Sequence, residues 1–397
     1  MRIAIDCHNL EGNRTGVGRY LWNVLREWSK LTGSDPASLE LFLYFKNEIP
    51  KDLDAMDRPY MERRESHIRV LDAGSNAVYK HLRLPLAVFR DKADVLFCPD
   101  YVLPILKFKK CKTAVTIHDI IYEARPAEYS WPSFADKILL KWASKRSAKK
   151  ADVIFCPSNF TKSEIEKYYK INSKKITVTR LAPDPIFRKP DFSKIREIGY
   201  AEKWSGIKKK YRIGDNFVFF VGSIFNRRFL PKTVDAFKEF ARERDDFQFL
   251  IIGKNHSSPY QDIGAVIKNT NSEMGREAVV WHEFIRNDDD LVFLYNKALA
   301  TVWVSSYEGF GLPILESMAC GTPVITSRGS SLEEVGGDSA IYIKDPGNIR
   351  EISMALSKLS NDNNYRLDLS RKCLEYTRKF SWQNTAMATL DCLLRLK

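Results

Sequence analysis

Residues 305–348 read SSYEGFGLPILESMACGTPVITSRGSSLEEVGGDSAIYIKDPGN and follow a short β-branched and aromatic run, Ala300 to Ser305. The order is strand, glycine-bearing turn, helix. Tyr307, Glu308, Gly309, Phe310, Gly311 and Leu312 make the turn, and Pro313, a favourable first helical residue, opens the helix. In open parallel sheets such turns line the crevice at the carboxyl ends of the strands, where ligands bind. The backbone N–H groups of Gly309 to Leu312, with the positive end of the helix dipole behind them, suit an anion such as a diphosphate. Glu308 precedes the turn and Glu316 follows it in an E-x7-E spacing, so two carboxylates flank one phosphate-sized pocket, an arrangement that fits sugar hydroxyls. The residues alone also allow Glu316 as a helix-dipole partner and Glu308 as a loop charge.

Two other segments share the design. Strand IAID leads to Thr15, Gly16, Val17, Gly18 and a helix from Arg19, and strand FVFFV leads through Gly222 and Ser223 to Arg227 and Arg228 before a helix at Pro231. Two arginines at such a turn supply the cation that a diphosphate leaving group requires, because charge builds on the β-phosphate as its bond to the sugar breaks. A solvated basic turn is the plainer reading. His118 ends the run TAVTIH, where its imidazole can donate to a substrate hydroxyl or serve as a satisfied structural residue. Two signals are discounted. Gly16-Val17-Gly18 has Leu21 where a dinucleotide fingerprint needs its third glycine, and Asn287-Asp288-Asp289-Asp290 precedes a helical run as a cap rather than as a metal cluster.

Short apolar runs alternate with helical patterns along the chain, which predicts an α/β protein with parallel sheets. Strands are predicted at Arg2–Cys7, Leu39–Phe45, Asp94–Cys98, Thr113–His118, Asp152–Cys156, Thr177–Arg180, Asn216–Val221, Gln248–Ile252, Val279–Trp281 and Ala300–Ser305, and Leu21, Val24, Leu25, Trp28 and Leu31 mark a helix. ADVLFCPD (93–100) and ADVIFCPS (151–158) echo one another as two buried strands. The length, 397 residues, calls for two or three compact units. Between Pro183 and Gly214 apolar periodicity gives way to charge and proline, so 1–184 and 215–379 read as domains, 185–214 as their connection, and 380–397 as a final amphipathic helix.

Hydrophobic residues are 44% and charged residues 28%, ordinary globular usage that excludes collagen-like, coiled-coil and disordered classes. The seven cysteines are scattered without a C-x-x-C pair, which argues for buried thiols and against a zinc site or disulfide framework. With neither an apolar span nor a leader-like start, the expected location is the cytoplasm. Net charge is +13, and it is uneven: residues 1–200 hold 36 Lys and Arg against 25 Asp and Glu, the remainder 27 against 25. The first half thus faces an acidic partner. FADKILLKWASKRSAKK (134–150) mixes Ile138, Leu139, Leu140 and Trp142 with six cations, and LKFKKCK (106–112) adds a second basic patch, so an anionic membrane surface fits, as does a helix packed inward. Nucleic acid is disfavoured because no recognition motif accompanies the charge.

The 305–348 stretch resembles the signature of the retaining glycosyltransferases of family 4. The similarity extends through TGVGRY (15–20), TIHDI (116–120), CPSNFTKSEI (156–165), LAPDPIF (181–187) and VGSIFNRR (221–228), whereas 46–92 matches nothing in that pattern.

The resemblance implies a GT-B fold, two Rossmann-like doubly wound domains facing across a cleft with the last helix returning to the first. It implies sugar transfer from a nucleotide-sugar donor with retention, no cofactor and no metal. Glu316 would hold the donor ribose, Glu308 the donor sugar, Gly309 to Leu312 the phosphate and sugar, and His118 the sugar near its reacting face. Gly16 and Gly18 would let the first domain close on the diphosphate, and Ser223, Arg227, Arg228 and Lys254 complete the donor set. Ser223 stands where many members carry an arginine, so Arg227 is expected to supply the missing charge beside Arg228. The expected enzyme moves a sugar, mannose from GDP-mannose in the first instance with UDP- and dTDP-sugars as the alternatives, to a lipid-linked or cell-surface glycan at the inner membrane face. An epimerase or hydrolase of nucleotide-sugars is the rival within the fold, and a nucleic-acid binder the rival outside it.

Overall fold

The computed structural model of the protein describes residues 1–12, 16–30, 39–55, 66–106, 110–129, 133–190, 197–285 and 287–396. Thr15, Leu31, Lys107, Lys109 and the part of the expected connection at 191–196 lie outside them. The chain forms two compact units. The first comprises Met1–Ala124, Trp131–Leu181 and Ser381–Lys397, and the second Arg125–Ser130 and Ala182–Phe380.

The first unit is built on β1 (Arg2–Asp6), β2 (Glu40–Phe45), β3 (Ser66–Val70), β4 (Val95–Cys98), β5 (Lys112–Thr116), β6 (Val153–Cys156) and β7 (Ile176–Val178). They form one parallel sheet in the order β3-β2-β1-β4-β5-β6-β7, with Ile3 paired to Leu41 on one side and to Val95 on the other. The two echoing segments are β4 and β6, and every residue in both strands is buried, as a sheet covered on both faces demands. The helices used below are α1 (Gly16–Ser29), α2 (Leu84–Arg90), α3 (Phe134–Lys150) and α4 (Asn159–Tyr169). One face of α1 buries Tyr20, Leu21, Val24, Leu25 and Trp28, while Arg19 faces solvent.

The second unit carries β8 (Asn216–Val221), β9 (Phe247–Ile252), β10 (Val279–His282), β11 (Thr301–Trp303), β12 (Val324–Ser327) and β13 (Ile341–Ile343), again parallel, in the order β10-β9-β8-β11-β12-β13. Its longer helices are α5 (Glu197–Tyr211), α6 (Leu230–Ala241), α7 (Ile263–Met274), α8 (Asp288–Lys297), α9 (Leu312–Ala319), α10 (Ile349–Asn361) and α11 (Asn363–Thr377).

Two expectations are corrected or extended. Residues 185–214 are not a plain connection, because α5 buries Trp204, Ile207 and Tyr211 together with Phe187 in the core of the second unit, against Phe217, Phe219 and Tyr295. That i, i+3, i+7 stripe is interrupted by Lys208, Lys209 and Lys210, which masks it in the sequence. The strands β3, β12 and β13 come in addition to those predicted. The last helix, α12 (Trp382–Leu394), belongs to the first unit. Trp28 Nε1 donates to Ala386 O at 2.7 Å, and Thr385 Oγ1 donates to Arg180 O.

Candidate active site

In the second sheet β8 and β11 are neighbours, yet the chain continues from β8 to β9 and β10 on one side and from β11 to β12 and β13 on the other. This reversal opens a crevice beyond their carboxyl ends. The turns after both strands meet there, with Ser306 N donating to Arg227 O at 3.0 Å. The turn after β8 packs on the residue that follows β9, which has to be glycine: a Cβ at Gly253 would sit 2.0 Å from the Gly222 carbonyl oxygen. Lys254 follows, its side chain exposed and its carbonyl accepting from Ile224 N at 2.9 Å.

Arg228 is buried and points at the turn after β11. Its Nε donates to Glu308 Oε1 at 2.8 Å and its Nη2 to Oε2 at 3.3 Å, a fork-on-carboxylate pair, while Nη1 donates to the Ser223 carbonyl. The guanidinium lies 4.1 Å from the Trp303 ring centroid. Arg227 is the second cation. It stacks on Phe225 at 4.1 Å and comes within 3.8 Å of Glu308, yet its buried Nε makes no hydrogen bond. Burial alone would raise the Glu308 pKa, but Arg228 and then Arg227 outweigh it, so the carboxyl is held below its ordinary range; burial draws Arg228 down against the pull of Glu308.

The Glu308 turn is fixed from behind by serines. Ser331 Oγ donates to the carbonyls of Glu308 at 2.7 Å and Phe310 at 2.9 Å, and Ser327 Oγ donates to Ser305 O at 2.6 Å. Gly311 caps α9 at φ +110°, a conformation that glycine adopts freely, and Pro313 sits in the first turn. The helix therefore starts at Leu312 with its first N–H groups without intrahelical acceptors, at the turn that carries Glu308. One turn further in, Glu316 is buried and its Oε2 accepts from Tyr295 OH at 2.9 Å. Ser306 Oγ also donates to Glu128, which belongs to the same unit, at 2.6 Å.

The first sheet has its own reversal, between β1 and β4. Asp6 ends β1 and is fully buried; Tyr79 OH donates to it at 2.9 Å, His8 Nδ1 lies 2.7 Å away, and Lys80 Nζ pairs with it. Lys80 also donates to Asp100, just beyond β4, at 2.6 Å. A π-helical turn, Tyr79–Arg83, delivers Tyr79 and Lys80. Lys80, His8 and their hydrogen bonds hold the Asp6 carboxyl far below its usual range despite burial, and Asp6 in turn raises His8 against its own desolvation. Gly16 and Gly18 open α1 after this strand. His118 lies beyond β5, its Nε2 2.9 Å from Pro99 O and its ring edge-on to Tyr20 at 5.1 Å. Because a carbonyl only accepts, Nε2 carries the proton and Nδ1 is the open acceptor. Burial lowers its pKa, so the ring is neutral.

Residues 14–182 match the model of Glycosyltransferase Family 4, and residues 205–380 match that of Glycosyl transferases group 1. The chain is a family 4 glycosyltransferase. It is similar to the O-antigen chain mannosyltransferase B of Escherichia coli, 25% identical across 98% of this chain and 99% of that one. It is 29% identical over 72% of its length to the serotype-specific mannosyltransferase WbdA of Escherichia coli, but the match spans only 34% of WbdA. Its fold is shared with Anabaena Alr3699/HepE in complex with UDP and glucose, at 14% identity, full coverage of both chains and a TM-score of 0.69. The fold is thus GT-B.

In this glycosyltransferase the second unit brings Ser223, Arg227, Arg228, Glu308, Gly309 to Leu312 and Glu316 to one end of one sheet, while Gly16, Gly18 and His118 lie at the corresponding end of the other sheet. Two expectations change. Glu308 and Arg228, assigned separately to sugar and phosphate, are each other's partner, and His118 has its donor proton engaged by Pro99. Sequence reasoning missed Ser331, Ser327 and Tyr295, and it missed the Asp6, His8, Lys80, Asp100 cluster entirely. Asp6, His8 and Asp100 come close enough to share a cation, but the Lys80 ammonium is bonded to both aspartates. Asn287 caps α8 by accepting from Asp289 N at 2.9 Å, and Asp290 accepts from Lys210 and Tyr211.

Proposed function

We propose that the enzyme is a retaining hexosyltransferase that moves mannose from GDP-mannose to a lipid-linked or cell-surface glycan, working peripherally at an anionic inner membrane face, with no metal or cofactor. The observation that carries this reading is the second cation. Glu308 neutralises Arg228, so Arg227, with a buried Nε that has no hydrogen-bond partner, remains beside the amino end of α9 as net positive charge for a diphosphate. The similarity to two mannosyltransferases supports the donor sugar and the glycan acceptor, and HepE with bound UDP and glucose supports a nucleotide-sugar.

In this mechanism the diphosphate rests on the α9 amides and Arg227, with Ser223 and Lys254 at its edge. Arg228 orients Glu308, whose remaining lone pairs accept from donor-sugar hydroxyls, and Glu316, oriented by Tyr295, accepts from the ribose. As the sugar–oxygen bond breaks, charge passes to the leaving phosphate, where Arg227 and the helix end stabilise it. The acceptor hydroxyl attacks from the same face and gives its proton to that phosphate. Neutral His118 accepts through Nδ1 from a sugar hydroxyl, and Gly16 and Gly18 allow close approach at the start of α1.

The test is thermal shift with GDP-, UDP-, dTDP- and ADP-sugars on wild type and Glu316→Ala, followed by product analysis. A GDP-mannose stabilisation that disappears in Glu316→Ala supports the donor site. Stabilisation by another nucleotide overturns the donor assignment, and nucleotide release without an acceptor favours an epimerase or hydrolase.

A further inference from the structure

The first unit exposes large apolar side chains where a folded protein ordinarily hides them. Leu82, Leu86 and Phe89 follow one another at i, i+4, i+7 on the π-helical turn and α2; Ile105 and Leu106 lie on the loop after β4; and Ile138, Leu139 and Trp142 share one side of α3. All eight are between 46% and 62% exposed. The three elements are joined. Ile105 N donates to His81 Nδ1 at 3.3 Å, Arg146 of α3 donates to Ile105 O at 2.8 Å and Pro104 O at 3.4 Å, and Leu103 N donates to Ser147 Oγ at 2.8 Å. Between them is an open cavity of about 370 Å³. Its wall is apolar, from Pro85, Val88, Leu96, Leu103 and Cys111, and its rim carries Arg146 and Lys150.

Charge decides what such a surface receives. Helix α3 has six cations against one acid, Asp136, which is engaged by Ser133. Lys141 reaches Glu123 at 3.3 Å and Lys112 reaches Asp152 at 3.8 Å, but Lys149 and Lys150 are exposed, and Lys150 lines the cavity. A second copy placed face to face would set cations against cations. An apolar slot with Arg146 and Lys150 at its rim, within a wider apolar surface, matches an anionic amphiphile.

We infer that this cavity takes a hydrocarbon chain of an anionic bilayer lipid, whose phosphate rests on Lys149 and Lys150 while Leu86, Phe89, Leu106 and Trp142 seat in the surrounding bilayer. The inference rests on the peripheral-membrane reading above and goes further: it makes attachment depend on an apolar slot, not on charge alone. Arg146 is a positioning residue, since its guanidinium holds the 104–105 carbonyls that shape the wall.

The test uses the full chain and flotation on phosphatidylcholine vesicles with and without about 30 mol% phosphatidylglycerol. Wild type floats only with the anionic vesicles. Ile105→Asp/Leu106→Asp, both at exposed positions, lowers the bound fraction roughly tenfold. Cys111 provides a second readout, because monomeric dihexanoylphosphatidylglycerol slows its alkylation, followed by peptide mass spectrometry. The inference falls if the double variant floats like wild type or if the lipid leaves Cys111 alkylation unchanged. If flotation still requires Lys149 and Lys150 in that case, the peripheral-membrane reading survives alone. Failure of wild type to float on anionic vesicles overturns both. Unchanged nucleotide-sugar thermal shifts verify that each variant is folded.

Discussion

The two sheets place buried ion pairs at the same topological position, and they use them differently. Beyond β8 and β11, Glu308 takes one arginine and leaves Arg227 over, so the crevice keeps positive charge for an anion. Beyond β1 and β4, Lys80 is bonded to both Asp6 and Asp100, and His8 and Tyr79 take up the rest of Asp6, so the cluster satisfies itself. Shared topology therefore fixes where polar groups can gather, and the balance of charge decides whether they wait for a ligand or hold the strands.

The sharpest way to break this comparison is to make the same lesion in both places. Lys80→Met leaves Asp6 buried without its main partner and should cost about 3–5 kcal/mol in chemical denaturation, while the folded fraction keeps its nucleotide affinity. Arg228→Met should destabilise comparably and also abolish the nucleotide-induced thermal shift. Equal nucleotide binding by both variants would erase the distinction. Next in size, Glu308→Gln should reduce transfer by about a hundredfold with nucleotide binding largely kept; unchanged product formation would remove Glu308 from the reaction.

A gentler probe is pH. His8 is raised above its ordinary 6.5 in the folded chain, so its contribution is fully present below that value and is lost as pH rises through the folded one. Unfolding free energy should decline as pH rises above about 6.5, and His8→Gln should flatten that slope. The depressed Asp6 works at the opposite end: its stabilisation is present above the ordinary carboxylate range and goes only under strong acid. The smallest effect is expected from Ser331→Ala, about 1–3 kcal/mol from two hydrogen bonds to the Glu308 turn, read as a shifted Tm with a weaker donor response.

Legibility followed sequence distance. Arg228, Glu308, Glu316 and the α9 turn stand inside strand-turn-helix units, so local pattern reveals them. Ser331 is equally local, but a serine that donates to two carbonyls looks like any loop serine. The first cluster draws on residues 6, 8, 80 and 100, and its lysine arrives on a π-helical turn within 46–92, the region that matches nothing in the family pattern. The strands β12 and β13 lie within the 305–348 stretch, where the glycine-bearing turn and the helix after it are the stronger signals, and α5 hides its buried stripe among lysines.

The return of α12 to the first unit bears on how these proteins can be cut and recombined. The chain crosses between units after Ala124, Ser130, Leu181 and Phe380, so neither unit is a continuous stretch of gene. A fragment ending near residue 181 would uncover the flank of α1 and strand the Trp28 indole N–H, whereas one starting near 182 would carry a foreign tail. A chimaera that exchanges donor-binding halves between relatives has to transplant Arg125–Ser130 and Ala182–Phe380 as two inserts, keeping Ser381–Lys397 from the recipient.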